Sequence, residues 1–331
     1  MEAALLKLFF SLSISFLVTL YLVPLLCSLA IKLGVMDVPD GAIKRHAVAT
    51  PYLGGIAVYG GFIVALALTC PFENQICLLL IGSTMLLFIG LIDDLLVMKP
   101  YQKFFGQVIA TFCFLKAGLY LKEQFFYHYW TIPLSAFWIL SVINAFNLVD
   151  VMDGLATLLA ACAAATFLII ALYLQNYTLA LLLTAFLGPL LAFLWYNRPP
   201  AKIYLGDAGA LFIGGFLATV PFLFKWGTYN WYGFATPLVI LAIPSLEVVQ
   251  LIIIRLRKGI PPTQGSPDHF SIYLQANGWR KQAILIYVFS LCCALALAST
   301  LFFLAKVGIA EMAIAGCVFL GIWLAALNYR P

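Results

Sequence analysis

Charge is scarce in this sequence. Only 9% of its 331 residues are Asp, Glu, Lys or Arg, against 64% hydrophobic. With a mean hydropathy of +1.06, that scarcity excludes an ordinary water-soluble globule. Low-complexity tracts and clear internal repeats are absent, and no stretch reads as a soluble appendage. The eight cysteines, Cys27, Cys70, Cys77, Cys113, Cys162, Cys292, Cys293 and Cys317, lack any metal-ligand spacing. Most sit inside apolar runs, where Cys behaves as a small hydrophobe, so no structural disulfide is expected. Alternation over about ten residues, the mark of a membrane barrel strand, is missing too.

What the sequence has is long apolar runs. Stretches of about 18 or more mostly apolar residues read as transmembrane helices. Eleven are counted, roughly 4–30, 53–70, 76–92, 103–121, 131–146, 155–174, 178–195, 209–224, 235–255, 282–304 and 309–327. Ser28-Leu29-Ala30 resembles a signal cleavage site, but the first apolar stretch is far longer than a signal peptide's, so it is expected to be retained. The fold class is therefore an all-α polytopic membrane bundle, one domain over residues 1–331.

Lys and Arg set the orientation. With eleven spans, alternate loops put thirteen of the eighteen basic residues on one side and five on the other. The richer side is the cytoplasmic one, which leaves the N-terminus outside and the C-terminus inside. This bias accounts for the net charge of +5 without a nucleic-acid partner.

All eight aspartates, Asp37, Asp40, Asp93, Asp94, Asp150, Asp153, Asp207 and Asp268, fall on that same side. Carboxylates at a membrane are costly unless something uses or neutralises them. Asp93 and Asp94 close the third run, where the helix dipole opposes them, so a divalent cation, a proton or water must offset the pair. Lys103 opens the next run; it either holds a phosphate or marks the inside face. Asn144, Asn147, Asp150 and Asp153 recur in steps of three, which puts them near one face of a helix. Asp153 before Gly154 also reads as an N-cap. Asn197, Tyr204 and Asp207 follow in a proline- and glycine-containing turn. There Asp207 starts a helix whose free N–H groups favour anions. Tyr204 offers a ring for a base or belongs to an interfacial aromatic belt. A long loop carries Asp268 and His269; the histidine contacts phosphate or is solvated. The first basic loop, with Asp37, Asp40, Lys44, Arg45, His46 and Gly54-Gly55, suits an anionic ligand.

In this order the clusters resemble the polyprenyl-phosphate N-acetylhexosamine-1-phosphate transferase family. The motifs are the Asp93-Asp94 pair, the Asn147-x-x-Asp150-x-x-Asp153-Gly154 run, and Asn197 followed by Pro-Ala and Gly206-Asp207. The likeness runs from about Asp37 to His269. It implies transfer of a sugar 1-phosphate from a UDP-N-acetylhexosamine to undecaprenyl phosphate, with release of UMP, at the cytoplasmic face of a bacterial inner membrane. It implies Mg²⁺, with Mn²⁺ as a substitute, held by Asn147 and Asp207. Asp93, Asp94, Lys103 and His269 match the catalytic positions; His46, Asn144, Asp150, Asp153, Asn197 and Tyr204 match the substrate-binding ones. An oligomer is compatible with all of this.

Some positions depart from the pattern. One histidine, His269, stands where relatives carry two or three. Val151 replaces a glycine and Ala210 a serine, and Ser245-Leu246-Glu247 replaces Phe-Asp-Thr, which leaves Glu247 as a buried acid. The single histidine and the loop before Pro51 favour the GlcNAc-1-phosphate branch over the phospho-MurNAc-pentapeptide translocases. A rival of another class is a secondary transporter, whose acids would sit near the midplane in repeated halves; here the acids cluster at helix ends.

Overall fold

The computed structural model describes residues 2–37, 49–70, 74–121, 128–226, 231–262 and 264–328. Each expected apolar run is helical. The long helices are α1 (Glu2–Leu33), α2 (Gly54–Thr69), α3 (Asn74–Leu96), α4 (Pro100–Lys116), α5 (His128–Val149), α6 (Leu155–Tyr173), α7 (Tyr177–Asn197), α8 (Gly206–Thr219), α12 (Lys281–Phe303) and α13 (Ile309–Asn328). Between α8 and α12 come α9 (Thr236–Ile240), α10 (Ala242–Arg257) and the short α11 (Phe270–Ala276). Two short strands, β1 (Met36–Asp37) and β2 (Thr50–Pro51), pair antiparallel.

Among the described residues, eight helices are long and apolar enough to cross a membrane. There are nine if α9 and α10, bent by 74°, form one broken span. The other two expected runs fall short for visible reasons. α2 has only 16 residues, and α4, with 17, carries Lys103 and Gln107. This is a multi-pass membrane protein, because helices that satisfy their own backbone groups are what lipid tolerates.

Apolar lipid supplies no hydrophobic drive between helices, so small residues and interhelical hydrogen bonds hold them together. α1 shows this along one stripe. Ser11, Ser15 and Thr19 recur every four residues and are fully buried. The hydroxyls of Ser11 and Thr19 donate to Leu181 O and Ala57 O. Gly188 and Gly61 face Ser15 and Thr19, leaving no room for a Cβ. α8 lies at the centre. Its Phe212 and Phe216 pack against Phe62 and Phe186, with the Phe186 and Phe216 rings stacked 4.0 Å apart. α13 is the peripheral helix, mostly exposed toward what would be lipid.

The acidic segments share one end of the bundle. The end of α1 reaches Lys202 O through Cys27. α12 begins at Lys281, which pairs with Asp153, and Asn277 bonds Leu327 O at the end of α13. The C-terminal ends of α1 and α13 therefore both lie toward the acidic end.

At this end α3 and α8 touch through backbone. A Cβ on Gly90 would fall onto Asp207 and Ala208 backbone atoms. Gly90→Leu is expected to separate the two helices, at a cost of about 1–3 kcal/mol by overpacking, and to lower the unfolding temperature in detergent. Gly316→Leu, placed where nothing lies within 4 Å, is expected to leave that temperature unchanged.

Candidate active site

The adjacent acids at the end of α3 part company. Asp94 turns to the start of α8, where Asp207 N–H donates to its Oδ1 at 2.9 Å and Ala208 N–H to its Oδ2 at 3.1 Å. A helix start favours an anion, and here the anion is a carboxylate of the protein. The sequence placed a ligand at those N–H groups; the structure gives them to Asp94 instead. Gly206 makes the approach possible. Its φ of +73° suits glycine, and a Cβ there would meet Asp94 Oδ2 at 2.7 Å. Tyr52 fixes the same corner by donating its hydroxyl to Asp94 O at 3.0 Å.

Asp93 turns the other way. Met98 N–H donates to its Oδ1 at 2.6 Å, and its Oδ2 lies 2.9 Å from Lys103 Nζ. The same ammonium is 2.5 Å from Asp207 Oδ2 and 3.1 Å from Asn147 Oδ1. Asn147 orients itself by donating Nδ2–H to Asp207 Oδ1 at 2.6 Å. Four helices, α3, α4, α5 and α8, thus bring Asp93, Lys103, Asn147 and Asp207 to one point. One turn along α4 from Lys103, the buried Gln107 accepts from Asn144 Nδ2 at 2.9 Å. That buried neighbour of the cluster carries no signal in the sequence beyond its i+4 spacing from Lys103.

Three oxygens converging on one cation position are a donor set for a hard divalent ion, which takes one or two carboxylates plus substrate phosphates. No group of three or more His, Cys, Asp or Glu side chains arranged to hold a metal occurs among the described residues. A metal here would therefore rely on the Asn147 amide oxygen and on oxygens of its substrate. With Lys103 as a cation already at the position, the residues fit such an ion.

The expected helical face from Asn144 to Asp153 is broken. α5 stops at Val149 and the chain turns through residues 150–154, with Gly154 at φ +77°. Asp153 is not the N-cap of α6; Gly154 occupies that position, and Asp153 pairs with Lys281 Nζ at 2.9 Å. Gly154 N–H donates to Asn197 Oδ1 at 3.0 Å, Thr157 adds its hydroxyl, and Asn197 Nδ2 donates to Ile203 O at 2.9 Å. Asn197, 3% exposed, thereby braces the turn that presents Asp150. Asp150 itself is half-buried and has no hydrogen bond or ion pair among the described residues. Desolvation, with Asp207, Asp94 and Asp153 nearby, raises its carboxyl well above the ordinary value.

Tyr204 is strapped to the first loop. Its N–H donates to Pro51 O at 2.8 Å, and its carbonyl accepts from Gly54 N–H at 3.1 Å. Gly55 N–H donates to Leu205 O. These bonds occupy the start of α2, where the glycine pair was expected to serve an anion. His269 is 6% exposed and Glu247 1% exposed; His269 Nδ1 lies 2.9 Å from Glu247 Oε1. The buried acid noted in the sequence is thus the partner of the loop histidine, and the structure does not bring either into the Asp93–Asp207 cluster. Asp268 lies beside Lys258, which holds its carboxyl below the ordinary value. His46, with Asp40, Lys44 and Arg45, lies outside the described residues.

Amide, carboxylate and ammonium groups thus gather at one end of an apolar membrane bundle. The chain belongs to glycosyl transferase family 4, whose model matches residues 76–225. It is 28% identical over 286 residues to a probable undecaprenyl-phosphate N-acetylglucosaminyl 1-phosphate transferase of Bacillus subtilis (strain 168), covering 83% of this chain and 80% of that one. It is 30% identical over 277 residues to the phospho-N-acetylmuramoyl-pentapeptide-transferase of Thermoanaerobacter sp. (strain X514), covering 76% and 83%. Against the protein of that name from Bacillus mycoides (strain KBAB4) the identity is 32% over 241 residues, covering 64% and 74%.

Asp150 gives a pH prediction. Its raised value means the folded state binds a proton more tightly than the unfolded chain. The stability it contributes is full below the unfolded value of 3.8 and is lost as pH rises through the folded one. Asp150→Asn is expected to raise the unfolding temperature in chelator near neutral pH, with a gain that shrinks toward about pH 4. Thermal scans of both proteins across that range check it; a gain that is absent, or that grows on acidification, contradicts the assignment.

Proposed function

We propose that this protein transfers N-acetylhexosamine 1-phosphate, GlcNAc 1-phosphate first, from a UDP-sugar to undecaprenyl phosphate and releases UMP. The observation that carries the reading is the meeting of Asp93, Lys103, Asn147 and Asp207 at one end of an apolar bundle. The relatives named above lend it chemistry of the same kind. In the proposed setting the protein crosses a bacterial inner membrane eleven times. Its N-terminus is outside, and its C-terminus and the acidic end are cytoplasmic. The excess of Lys and Arg in the loops of that end supports the orientation.

The acceptor phosphate monoester is already a nucleophile. Its oxygen attacks the sugar-bearing phosphorus of the UDP-sugar, a new P–O bond forms, and the bond to the UMP oxygen breaks. Such transfers need alignment and charge neutralisation more than covalent help. Mg²⁺ held by Asp207, Asn147 and Asp93 would neutralise the diphosphate and withdraw charge from it. Asp94 keeps the start of α8 in place, which aims Asp207. Asp150, without an internal partner, faces substrate. Tyr204, fixed by the strap to Pro51 and Gly54, offers its ring to uracil. Glu247 holds Nδ1 of the buried His269, which steadies the loop outside the cluster. A groove between helices would admit the lipid from the side while the nucleotide arrives from water.

The test is transfer of labelled GlcNAc 1-phosphate from UDP-GlcNAc to undecaprenyl phosphate by the purified protein. Asp207→Asn is expected to cut the rate by about 100-fold or more, since several kcal/mol of charge stabilisation are lost, with little change in unfolding temperature. Asp268→Asn, which alters the contacts with Lys258 and Ser266 away from the cluster, is expected to leave turnover near the wild-type rate. Faster turnover of UDP-MurNAc-pentapeptide than of UDP-GlcNAc would move the protein to the translocase branch. Wild-type turnover in Asp207→Asn would remove the cluster from the reaction.

A further inference from the structure

Lys103 occupies the point at which a metal would bind. An ammonium has three N–H donors and no acceptor. Lys103 has three oxygens around Nζ, Asp207 Oδ2 at 2.5 Å, Asp93 Oδ2 at 2.9 Å and Asn147 Oδ1 at 3.1 Å. All three donors are thereby used. In this arrangement Lys103 has nothing left for a phosphate, and Asp207 and Asn147 turn to the ammonium the oxygens that a divalent ion would need. Asp207 Oδ1 is taken by Asn147 Nδ2, and both oxygens of Asp94 by the start of α8. Asp93 Oδ1 is likewise taken by Met98 N–H.

We infer that Lys103 is an internal counter-ion that competes with the divalent cation for the same three oxygens. Cation binding and the release of Lys103 toward phosphate are then one exchange. The inference rests on the reading of Asp207 and Asn147 as metal ligands. Charge requires something of this kind. Asp93 and Asp207 share a partly buried site at the membrane, where two carboxylates repel unless a cation or a shared proton stands between them. Lys103 stands between them in this arrangement. Its flexible four-carbon stem lets the ammonium move while α4 stays in place. Once displaced, it regains three donors beside a freshly neutralised cluster, where a phosphate-bearing substrate needs them. The order follows: the ion first, then the lysine turned to substrate. A phosphate arriving at the metal-free site would find its ammonium engaged.

Two measurements on the full chain in detergent test this. In the first, Mn²⁺ is titrated into wild type and Lys103→Met, and free ion is read by electron paramagnetic resonance. Without its competitor the variant is expected to bind Mn²⁺ about tenfold more tightly, equivalent to about 1.4 kcal/mol. An unchanged or weaker affinity in a folded variant overturns the exchange. The second needs no variant. Lys103 in the wild type is expected to be protected from an amine-reactive reagent in chelator and to gain label as Mn²⁺ is added, as read by peptide mass spectrometry. Labelling that stays level or falls with Mn²⁺ also overturns it, as does an absence of Mn²⁺ binding to the wild type. Labelled transfer from UDP-GlcNAc, run on the same sample, separates the two ideas. Transfer without exchange defeats this inference alone; exchange without transfer defeats the functional reading and leaves the exchange standing.

Discussion

Two neighbouring carboxylates at the C-terminal end of α3 cannot both remain ionised there without help. The dipole of their own helix opposes them and so does each other's charge. The structure resolves this by sending them to different partners. Asp94 goes to the N-terminus of α8 and Asp93 to Lys103. Much of the site follows. For Asp94 to reach the helix start, α3 and α8 must meet at backbone distance, so Gly90 and Gly206 are where they are. For Lys103 to reach Asp93, α4 must begin at once after the turn that ends α3, with Pro100 in its first turn. The same two contacts deliver Asp207 and Asn147 to a common point.

The surrounding bundle serves this corner. α8 is short and lined with glycine and alanine on its first turns, then carries Phe212 and Phe216, so its start can be crowded by backbone while its middle anchors in the core. α1, α2 and α7 pack through small residues and hydroxyls, as helices do when lipid is as apolar as the side chains. The polar groups sit at the end of the bundle, which distinguishes this arrangement from a transporter with a binding site at the midplane. Water-borne and lipid-borne reactants can meet at such an end.

Much of this was legible in the sequence. Every expected apolar run is helical, and Asp93, Lys103, Asn147 and Asp207 could each be singled out, though from separate segments and with different roles; that they meet at one point was not among the expectations. What stayed hidden depends on tertiary approach. Nothing local says that Asp94 caps a helix more than a hundred residues away, or that Gly154 and not Asp153 caps α6. The three-residue steps from Asn144 to Asp153 implied one helical face, but the chain turns after Val149, and only Asn144 and Asn147 remain on the helix. Asn197 looked like a substrate contact, and its amide is consumed in bracing that turn. Glu247 looked like an acid without a task until the fold set it against His269. Lys103 left two readings open, phosphate holder or inside marker, and the geometry adds a third, the resident cation of the acid cluster.

The central claim is that this acidic end moves a sugar together with its phosphate. The identity of the nucleotide left behind tests it most directly. Purified protein is given UDP-GlcNAc, a divalent cation and undecaprenyl phosphate, and the released nucleotide is resolved by chromatography. The account predicts UMP, formed only when the lipid phosphate is present and in equal amount to the lipid-linked product. Release of UDP would mean that the sugar moves without its phosphate and would contradict the account, as would UMP released without any lipid product.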